Sequence, residues 1–126
     1  MSDRVVLHAM RFEGRHGVTA EERAEPQPIE VDVELALDLR RAGLEDELVE
    51  TADYSRAYEL CRDVVESASF RLLEAIAEAI AHELMAAYPR VREVTVRVRK
   101  MRLRGRSLGY AEVQITRRSS GRGRRA

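Results

Sequence analysis

The chain has 126 residues, a length that supports one domain with one hydrophobic core. Its 22 basic and 22 acidic residues cancel, so the chain as a whole has no electrostatic bias towards nucleic acid or membranes. One cysteine excludes an internal disulfide framework, and no apolar stretch suggests a signal peptide or a membrane span, so we expect a cytoplasmic protein.

The first half of the sequence is typical of two strands. The segment from Val5 to Phe12 mixes β-branched and apolar residues and stops before Gly14. From Ile29 to Leu39, apolar residues alternate with mainly acidic ones, which predicts a strand with one buried and one wet face. A glycine-flanked loop separates the two strands, and the charged segment 40–52 is predicted to be a connection.

Two helices and two further strands are predicted in the second half. Thr51 or Asp53 caps the first helix, and Pro89 ends the second. The strands follow at 94–100 and around 110–116. The basic segment 118–126 is predicted to be a disordered tail, outside a single domain at 1–117. The apolar stripes are Ala57, Cys61, Val64, Val65 and Ala68 in the first helix and Leu73, Ile76, Ala77, Ile80, Leu84 and Tyr88 in the second.

The order β-β-α-α-β-β predicts an α+β fold, in which a four-stranded antiparallel sheet carries two helices on one face. The other face of that sheet is too polar for a core. We expect it to line a solvent-filled space or a subunit interface, with opposite charges paired across neighbouring strands. Its residues are Glu30, Asp32, Glu34, Arg97 and Arg99.

Lys100 is the only lysine, and the remaining 21 of the 22 basic residues are arginines. A lysine ammonium is able to give up its proton, whereas a guanidinium is not, so a single lysine is a candidate acid or base. Lys100 shares the parity of Val94, Val96 and Val98, which predicts that it faces the helices. The plainer interpretation is a chance lysine at a frayed strand end.

Three other side chains are candidates for ligand binding, and each has a plainer alternative. Glu22 lies in the loop after the first strand, where a carboxylate is commonly only solvated. Tyr54 starts the first helix and is able either to stack on a planar ligand or to pack at the rim. Glu74 borders the apolar stripe of the second helix. Its carboxylate is able to accept two parallel hydrogen bonds from adjacent N–H groups of a planar ligand. The plainer alternative is that its charge only stabilises the N-terminus of the helix.

Metal binding and cysteine chemistry are not expected. The three histidines and Cys61 match no metal-ligand spacing, so no metal site is predicted. Cys61 falls on the apolar stripe of its helix and is expected in the core.

Taken together, these stretches resemble the dihydroneopterin aldolase family. The resemblance runs in family order through residues 10–18, Glu22, 27–39, 51–54, 72–78 and 94–100. It departs at residues 101–108, where the family usually has a proline-containing loop and this sequence has none.

The resemblance implies the tunnelling fold, in which subunits join their sheets into a tetrameric ring or a stacked octamer. Active sites then lie between neighbouring subunits. It also implies retro-aldol cleavage of dihydroneopterin to hydroxymethyl-dihydropterin and glycolaldehyde in folate biosynthesis. Such a reaction uses no metal, Schiff base or cofactor.

The same resemblance implies roles for single residues. Lys100 would be the general acid and base. Glu22 would contact the substrate and assist proton movement, and Tyr54 would stack on the pterin ring. The amino-pyrimidinone edge of the pterin would be held by Glu74, with backbone groups near Leu73 and Ala52.

Two alternatives remain open. One is a dihydroneopterin (triphosphate) epimerase of the same fold, which the arginine-rich segment after Lys100 favours. The other is a pterin- or purine-binding module without turnover. Nucleic-acid binding is not expected, because the basic segments lack interleaved aromatics, a known motif and a net positive charge.

Overall fold

The computed structural model describes residues 3–119 of the chain. Its elements follow the predicted order, with short helical segments added in two connections. The strands are β1 (Arg4–Gly14), β2 (Gln27–Ala36), β3 (Glu93–Lys100) and β4 (Ala111–Arg118), and the helices are α1 (Ala20–Arg23), α2 (Arg40–Glu45), α3 (Tyr54–Ser67) and α4 (Leu73–Ala87), with a 3₁₀ turn at Leu48–Glu50.

The four strands form one antiparallel sheet in the order β1-β2-β3-β4. Helix α3 packs against β1, α4 packs against β3 and β4, and the two helices pack against each other. The predicted α+β arrangement is confirmed. Within residues 3–119, β1 and β4 each have a strand neighbour on one side only, so both edges of the sheet are open.

The core lies between the two long helices and the inner face of the sheet. Cys61 is fully buried there, as predicted, and burial raises the pKa of its thiol to about 12, which makes it a packing residue rather than a nucleophile. The two central strands supply alternate residues to this core, as their period predicted: Ile29, Val31, Val33 and Leu35 from β2, and Val94, Val96 and Val98 from β3.

The ends of the long helices are fixed by hydrogen bonds. The Asp53 carboxylate accepts from the Ser55 N–H at 3.0 Å and caps α3, which confirms one of the two predicted caps. The Tyr88 hydroxyl, just after α4, donates to the Asp53 carbonyl at 2.6 Å and joins the two helix ends. Ala68 is exposed and follows the last residue of α3, so its place in the buried stripe was wrong.

At the centre of the outer sheet face, Arg99 binds three carboxylates. It forms a bidentate pair with Asp32, with N···O distances of 2.9 and 2.5 Å. It also donates to Glu30 at 3.0 Å and to Glu112 at 2.9 Å. The predicted pairing of charges across strands is therefore confirmed, and it ties β2, β3 and β4 together.

The prediction that this face is wet is wrong at its centre. Asp32 and Arg99 are only 3% and 5% exposed, because neighbouring side chains cover them and the Tyr110 ring lies 5.7 Å from the guanidinium. Burial opposes the charge on Asp32, but hydrogen bonds from Arg99 and the Ala9 N–H hold its pKa at about 2. The same carboxylates raise the pKa of Arg99.

A bulge in β1 also depends on Asp32. Ala9 has a left-handed backbone with φ of 56°, and the register with β2 shifts between Leu7 and Met10. The Ala9 N–H, which leaves the strand ladder there, donates to Asp32 Oδ1 at 2.7 Å. One carboxylate thus stabilises both the buried arginine and the bulge.

Two segments differ from expectation. Residues 40–52 contain α2 and a 3₁₀ turn rather than a plain connection. Strand β4 reaches Arg118, one residue beyond the predicted domain boundary, because Arg118 pairs with Glu93 in the ladder and by an ion pair at 3.1 Å. The predicted disordered tail spans residues 118–126, and its part from residue 120 onward lies outside the described residues.

None of the helices between residues 3 and 119 combines the length and the apolar character that a membrane crossing requires.

We expect Asp32→Asn to lower the free energy of unfolding by about 3 kcal/mol, because it leaves the buried Arg99 without its bidentate partner. Glu34→Gln is the matched control, since Glu34 pairs with Arg97 at 2.6 Å in a less buried position, and it should cost less than about 1 kcal/mol. Urea unfolding of both variants at neutral pH measures the difference. Equal losses would show that Asp32 has no special structural role.

The same carboxylate makes stability depend on pH. The pKa of Asp32 lies near 2 in the folded chain against an ordinary value of 3.8, so the unfolded chain binds its proton first as the pH falls. The stabilisation is complete well above pH 3.8 and is lost as the pH falls towards 2. Asp32→Asn should flatten this part of the stability curve, whereas Glu34→Gln should leave it unchanged.

Candidate active site

Four of the predicted site residues line one recess of about 190 Å³. Three parts of the fold meet there: the loop from β1 into α1, the start of α4, and the last residue of β3. The four residues are Glu22, Leu73, Glu74 and Lys100.

Lys100 ends β3 on the helix side of the sheet, opposite Ile29 of β2. Its Nζ donates to Glu22 Oε2 at 2.6 Å. The Lys100 side chain is 17% exposed and that of Glu22 is 36% exposed, so the pair sits at the mouth of the recess. The predicted orientation of Lys100 towards the helices is confirmed.

The Glu22 carboxylate is held at both oxygens. Oε1 accepts from the Thr19 N–H at 3.1 Å and from the Thr19 hydroxyl at 3.2 Å, while the Glu22 N–H donates to Thr19 Oγ1 at 3.1 Å. This reciprocal pair is a capping box, and it starts α1 where a loop was expected. The four-residue pattern from Thr19 to Glu22 is the sequence signal of this helix start.

The same hydrogen bonds set the charge of Glu22. Donation from Lys100, then from the Thr19 backbone, lowers the pKa of Glu22 to about 2. The carboxylate is therefore ionised at neutral pH and acts as an acceptor.

Close packing behind Glu22 requires a glycine at position 17. A Cβ on Gly17 would lie 2.4 Å from the Cβ of Glu22, so any side chain there would displace the carboxylate. Gly17 is also tied to the other side of the recess, because its N–H donates to the Phe70 carbonyl at 3.0 Å.

The loop of residues 15–17 is held by hydrogen bonds to its main chain. Gln27 Nε2 donates to the His16 carbonyl at 2.5 Å, and the Ser69 hydroxyl donates to the Arg15 carbonyl at 2.6 Å. No role was predicted for Gln27 or Ser69. Side-chain bonds to distant main-chain carbonyls leave no pattern in the sequence.

His16 was also missed as a site residue. Its ring is 2% exposed and contributes to the wall of the recess. Nε2 lies 2.7 Å from the Val65 carbonyl oxygen, and Nδ1 accepts from the Phe70 N–H at 3.0 Å. Burial lowers the pKa of His16, although the bond to Val65 opposes the shift. Its position between two glycines was the only visible sign.

Glu74 faces Lys100 and Glu22 from the first turn of α4. Glu74 is exposed. The Ala75 and Ile76 N–H groups donate to the Leu72 carbonyl, whereas those of Leu73 and Glu74 have no acceptor within the helix. No side chain caps this helix end. The recess therefore offers a carboxylate and main-chain donors side by side, which suits a flat ligand with both N–H and carbonyl groups along one edge.

Ala52 and Tyr54 are not brought to this recess. Ala52 is buried beside Thr51 and Tyr88 and lines a different cavity of about 220 Å³. Tyr54 is 65% exposed at the start of α3. A single chain thus assembles four of the six predicted residues; of the other two, Ala52 is buried beside another cavity and Tyr54 is exposed at the start of α3.

A second recess of about 390 Å³ shares Lys100 and Glu22 with the first. Arg102, Arg104 and Arg106 line it, from the proline-free segment after Lys100, which turns at Gly105 with φ of 70°. Glu21 and Glu25 line it too, so its wall has four basic and three acidic groups when Lys100 and Glu22 are counted.

Between residues 3 and 119, no three histidine, cysteine, aspartate or glutamate side chains come together as a possible metal-binding group.

Comparison with known proteins identifies the family of this chain. The FolB dihydroneopterin aldolase family model matches residues 5–116. The dihydroneopterin aldolase of Bacillus subtilis is 39% identical over 98 residues, which are 78% of this chain and 82% of that protein. That of Methylorubrum extorquens is 36% identical over 118 residues, which are 93% and 91% of the two chains.

The fold comparison agrees. The crystal structure of Escherichia coli dihydroneopterin aldolase in complex with neopterin superimposes with a TM-score of 0.85 at 28% identity, covering 91% of this chain and 98% of that one. The predicted tunnelling-type fold is thereby confirmed. Because the family model spans all four strands and the relatives match most of both chains, the chain belongs to the dihydroneopterin aldolase family.

Proposed function

We propose that the chain catalyses retro-aldol cleavage of dihydroneopterin to hydroxymethyl-dihydropterin and glycolaldehyde. The observation that carries the proposal is the Lys100–Glu22 pair, at 2.6 Å, facing Glu74 across one recess. Its relatives are named for this reaction, and the E. coli neighbour holds neopterin.

Glu74 and the start of α4 recognise the pterin in this proposal. The amino-pyrimidinone edge of a pterin presents N–H donors next to a carbonyl. The Glu74 carboxylate accepts hydrogen bonds from the pterin N–H groups, and the free main-chain N–H groups near Leu73 donate to the pterin carbonyl. This leaves the side chain of the substrate near Lys100 and Glu22.

The chemistry then needs only proton transfers. The hydroxyl on the second side-chain carbon loses its proton as the bond to the first carbon breaks and glycolaldehyde forms. The bonding electrons enter the C=N bond of the ring, whose nitrogen takes a proton. The first carbon is then protonated and the ring nitrogen loses its proton, which gives the hydroxymethyl product.

Lys100 and Glu22 supply these transfers. Lys100 is the group able to give and recover a proton at the reacting atoms, directly or through a water. The ionised Glu22 orients the ammonium group and accepts from the substrate hydroxyl. The pterin ring is the electron sink, so the reaction as proposed needs no Schiff base to a lysine.

We propose further that neighbouring subunits complete the site with Ala52 and Tyr54. Both lie outside the recess, and Tyr54 is exposed enough to stack on a ligand held by another chain. The open edges at β1 and β4 allow each sheet to join the next one in a ring. The charged outer faces of the sheets would then line the central tunnel of a tetramer or octamer.

Replacement of Lys100 tests the chemistry. Lys100→Arg keeps a positive charge beside Glu22, but its guanidinium does not give up a proton, and Lys100→Ala removes the charged group altogether. Both should lower kcat for glycolaldehyde release by about 10² to 10⁴. Neopterin affinity should change by less than about threefold, because the recognition edge at Glu74 is untouched.

Cleavage rates and neopterin binding, measured on the same preparations, decide this prediction. Retained activity in both variants would exclude Lys100 as the acid and base. Neopterin binding without any glycolaldehyde from the wild-type chain would identify a binding module instead of an enzyme.

Mixed oligomers test the sharing of the site. Tyr54→Ala and Glu74→Gln chains should each be inactive alone. After refolding in equal mixture, about one quarter of the sites should combine an intact Tyr54 with an intact Glu74 and regain activity. Size-exclusion chromatography verifies that the mixed ring forms. No recovery in a properly assembled mixture would mean that Tyr54 and Glu74 act from the same chain.

A second candidate is an epimerase that acts on a phosphorylated neopterin. Arg102 and Arg104 favour it, because neither makes a hydrogen bond or ion pair with another residue of the described 3–119 region, and both line the recess beside Lys100. Unpaired guanidinium groups are well suited to phosphate. Reversible cleavage of the same carbon–carbon bond allows rejoining with inverted configuration.

Substrate comparison separates the two candidates. The double variant Arg102→Gln with Arg104→Gln should raise KM for dihydroneopterin triphosphate by about tenfold if these arginines bind phosphate, with KM for dihydroneopterin unchanged. Product analysis distinguishes glycolaldehyde release from epimerisation. Equal KM changes for both substrates would assign the arginines to the loop structure alone.

A further inference from the structure

The strongest unassigned feature beside the site is the ring of His16. It is 2% exposed and bonds to two main-chain groups that are 49 and 54 residues away. Neither partner belongs to a strand ladder. The ring joins the loop after β1 to the last part of α3 and to the link between α3 and α4.

The two partners determine the protonation of the ring. The Val65 carbonyl only accepts, so Nε2 must carry a hydrogen, and the Phe70 N–H only donates, so Nδ1 must be bare. His16 is therefore neutral, with its proton on Nε2. A second proton on Nδ1 would point at the Phe70 N–H and break that bond.

This ring lies between the two halves of the recess. On one side, the His16 carbonyl accepts from Gln27, whose amide also lies 3.5 Å from the Glu22 carbonyl. On the other side, Phe70 leads directly through residue 72 into α4, whose first turn carries Glu74. The ring of Phe70 also stacks on that of His16, with centroids 5.8 Å apart.

The neighbouring glycine keeps the ring in place. A Cβ on Gly14 would lie 2.5 Å from His16 Nε2 and 2.6 Å from the Val65 carbonyl oxygen. Any other residue at position 14 would push the ring off its acceptor. A glycine is therefore needed on each side of His16: Gly14 leaves room for the His16 ring, and Gly17 leaves room for Glu22.

From this arrangement we infer that His16 is a positioning residue that sets the place of Glu74 relative to the Lys100–Glu22 pair and so controls pterin affinity. The inference rests on the proposed function, because it takes the recess as the pterin site. Its effect passes through Phe70 and the start of α4, and His16 does not touch the reacting atoms.

Two substitutions separate the hydrogen bonds from the volume of the ring. His16→Phe keeps a ring and removes both bonds, and it should raise KM and the dissociation constant for neopterin by about 10- to 100-fold, with kcat nearly unchanged. His16→Gln supplies one acceptor and one donor at similar spacing and should stay within about threefold of the wild type. His82→Gln, at an exposed position on α4, is the matched control.

The pH profile gives a second readout. Burial lowers the pKa of His16 from its ordinary value of 6.5, so the neopterin affinity of the wild type should weaken only as the pH falls through this lowered value and protonation removes the Phe70 bond. The neopterin affinity of His16→Gln should not show this fall with pH, because the Gln amide does not titrate. The comparison holds the other charged groups around His16 constant: Arg15, Glu22, Glu66, Arg71, Glu74 and Lys100.

The outcomes are distinct. A His16→Phe protein with wild-type KM and affinity, and only a smaller folded fraction by circular dichroism, would overturn the inference and leave a purely structural histidine. Identical pH profiles of wild type and His16→Gln would also overturn it. A wild-type chain that neither binds neopterin nor cleaves dihydroneopterin refutes the proposed function itself, and the inference with it.

Discussion

The register of β3 depends on the buried contact of Arg99 with Asp32, and the rest of the site depends on that register. Arg99 is held by carboxylates of both neighbouring strands on the outer face. Because side chains alternate along a strand, fixing Arg99 outward directs Lys100 inward, next to Glu22. A slip of one residue would exchange the two and place an arginine in the recess.

Hydrogen bonds to main-chain groups hold the loop that forms one wall of the recess. The loop of residues 15–17 is bonded through its carbonyls and N–H groups to Gln27, Ser69 and Phe70. The contact between Gly17 and Phe70 involves main-chain atoms alone, whereas the other two need the side chains of Gln27 and Ser69.

The sequence alone was sufficient to predict those structural features that a single strand or helix determines. The alternation in β2 and β3 predicted the buried face, and the parity of Lys100 predicted its side of the sheet. It was insufficient where several elements meet. Buried Asp32 is bonded both to the bulge at Ala9 in β1 and to Arg99 in β3, two residues beyond its strand partner Arg97. The ring of His16 bonds to two segments that lie far along the chain. The capping box from Thr19 to Glu22 is a local pattern, but the helix it starts has only four residues, too few to show a helical period in the sequence.

The single lysine also makes this chain convenient for spectroscopy and chemistry. An isotope label placed in lysine would report on one side chain only, the one that points into the recess beside Glu22. Lys100 also carries the only side-chain amine in this sequence, so it is the side chain that an amine-selective reagent would modify. The protonation state of one ammonium group can therefore be followed during turnover without interference from the 21 arginines.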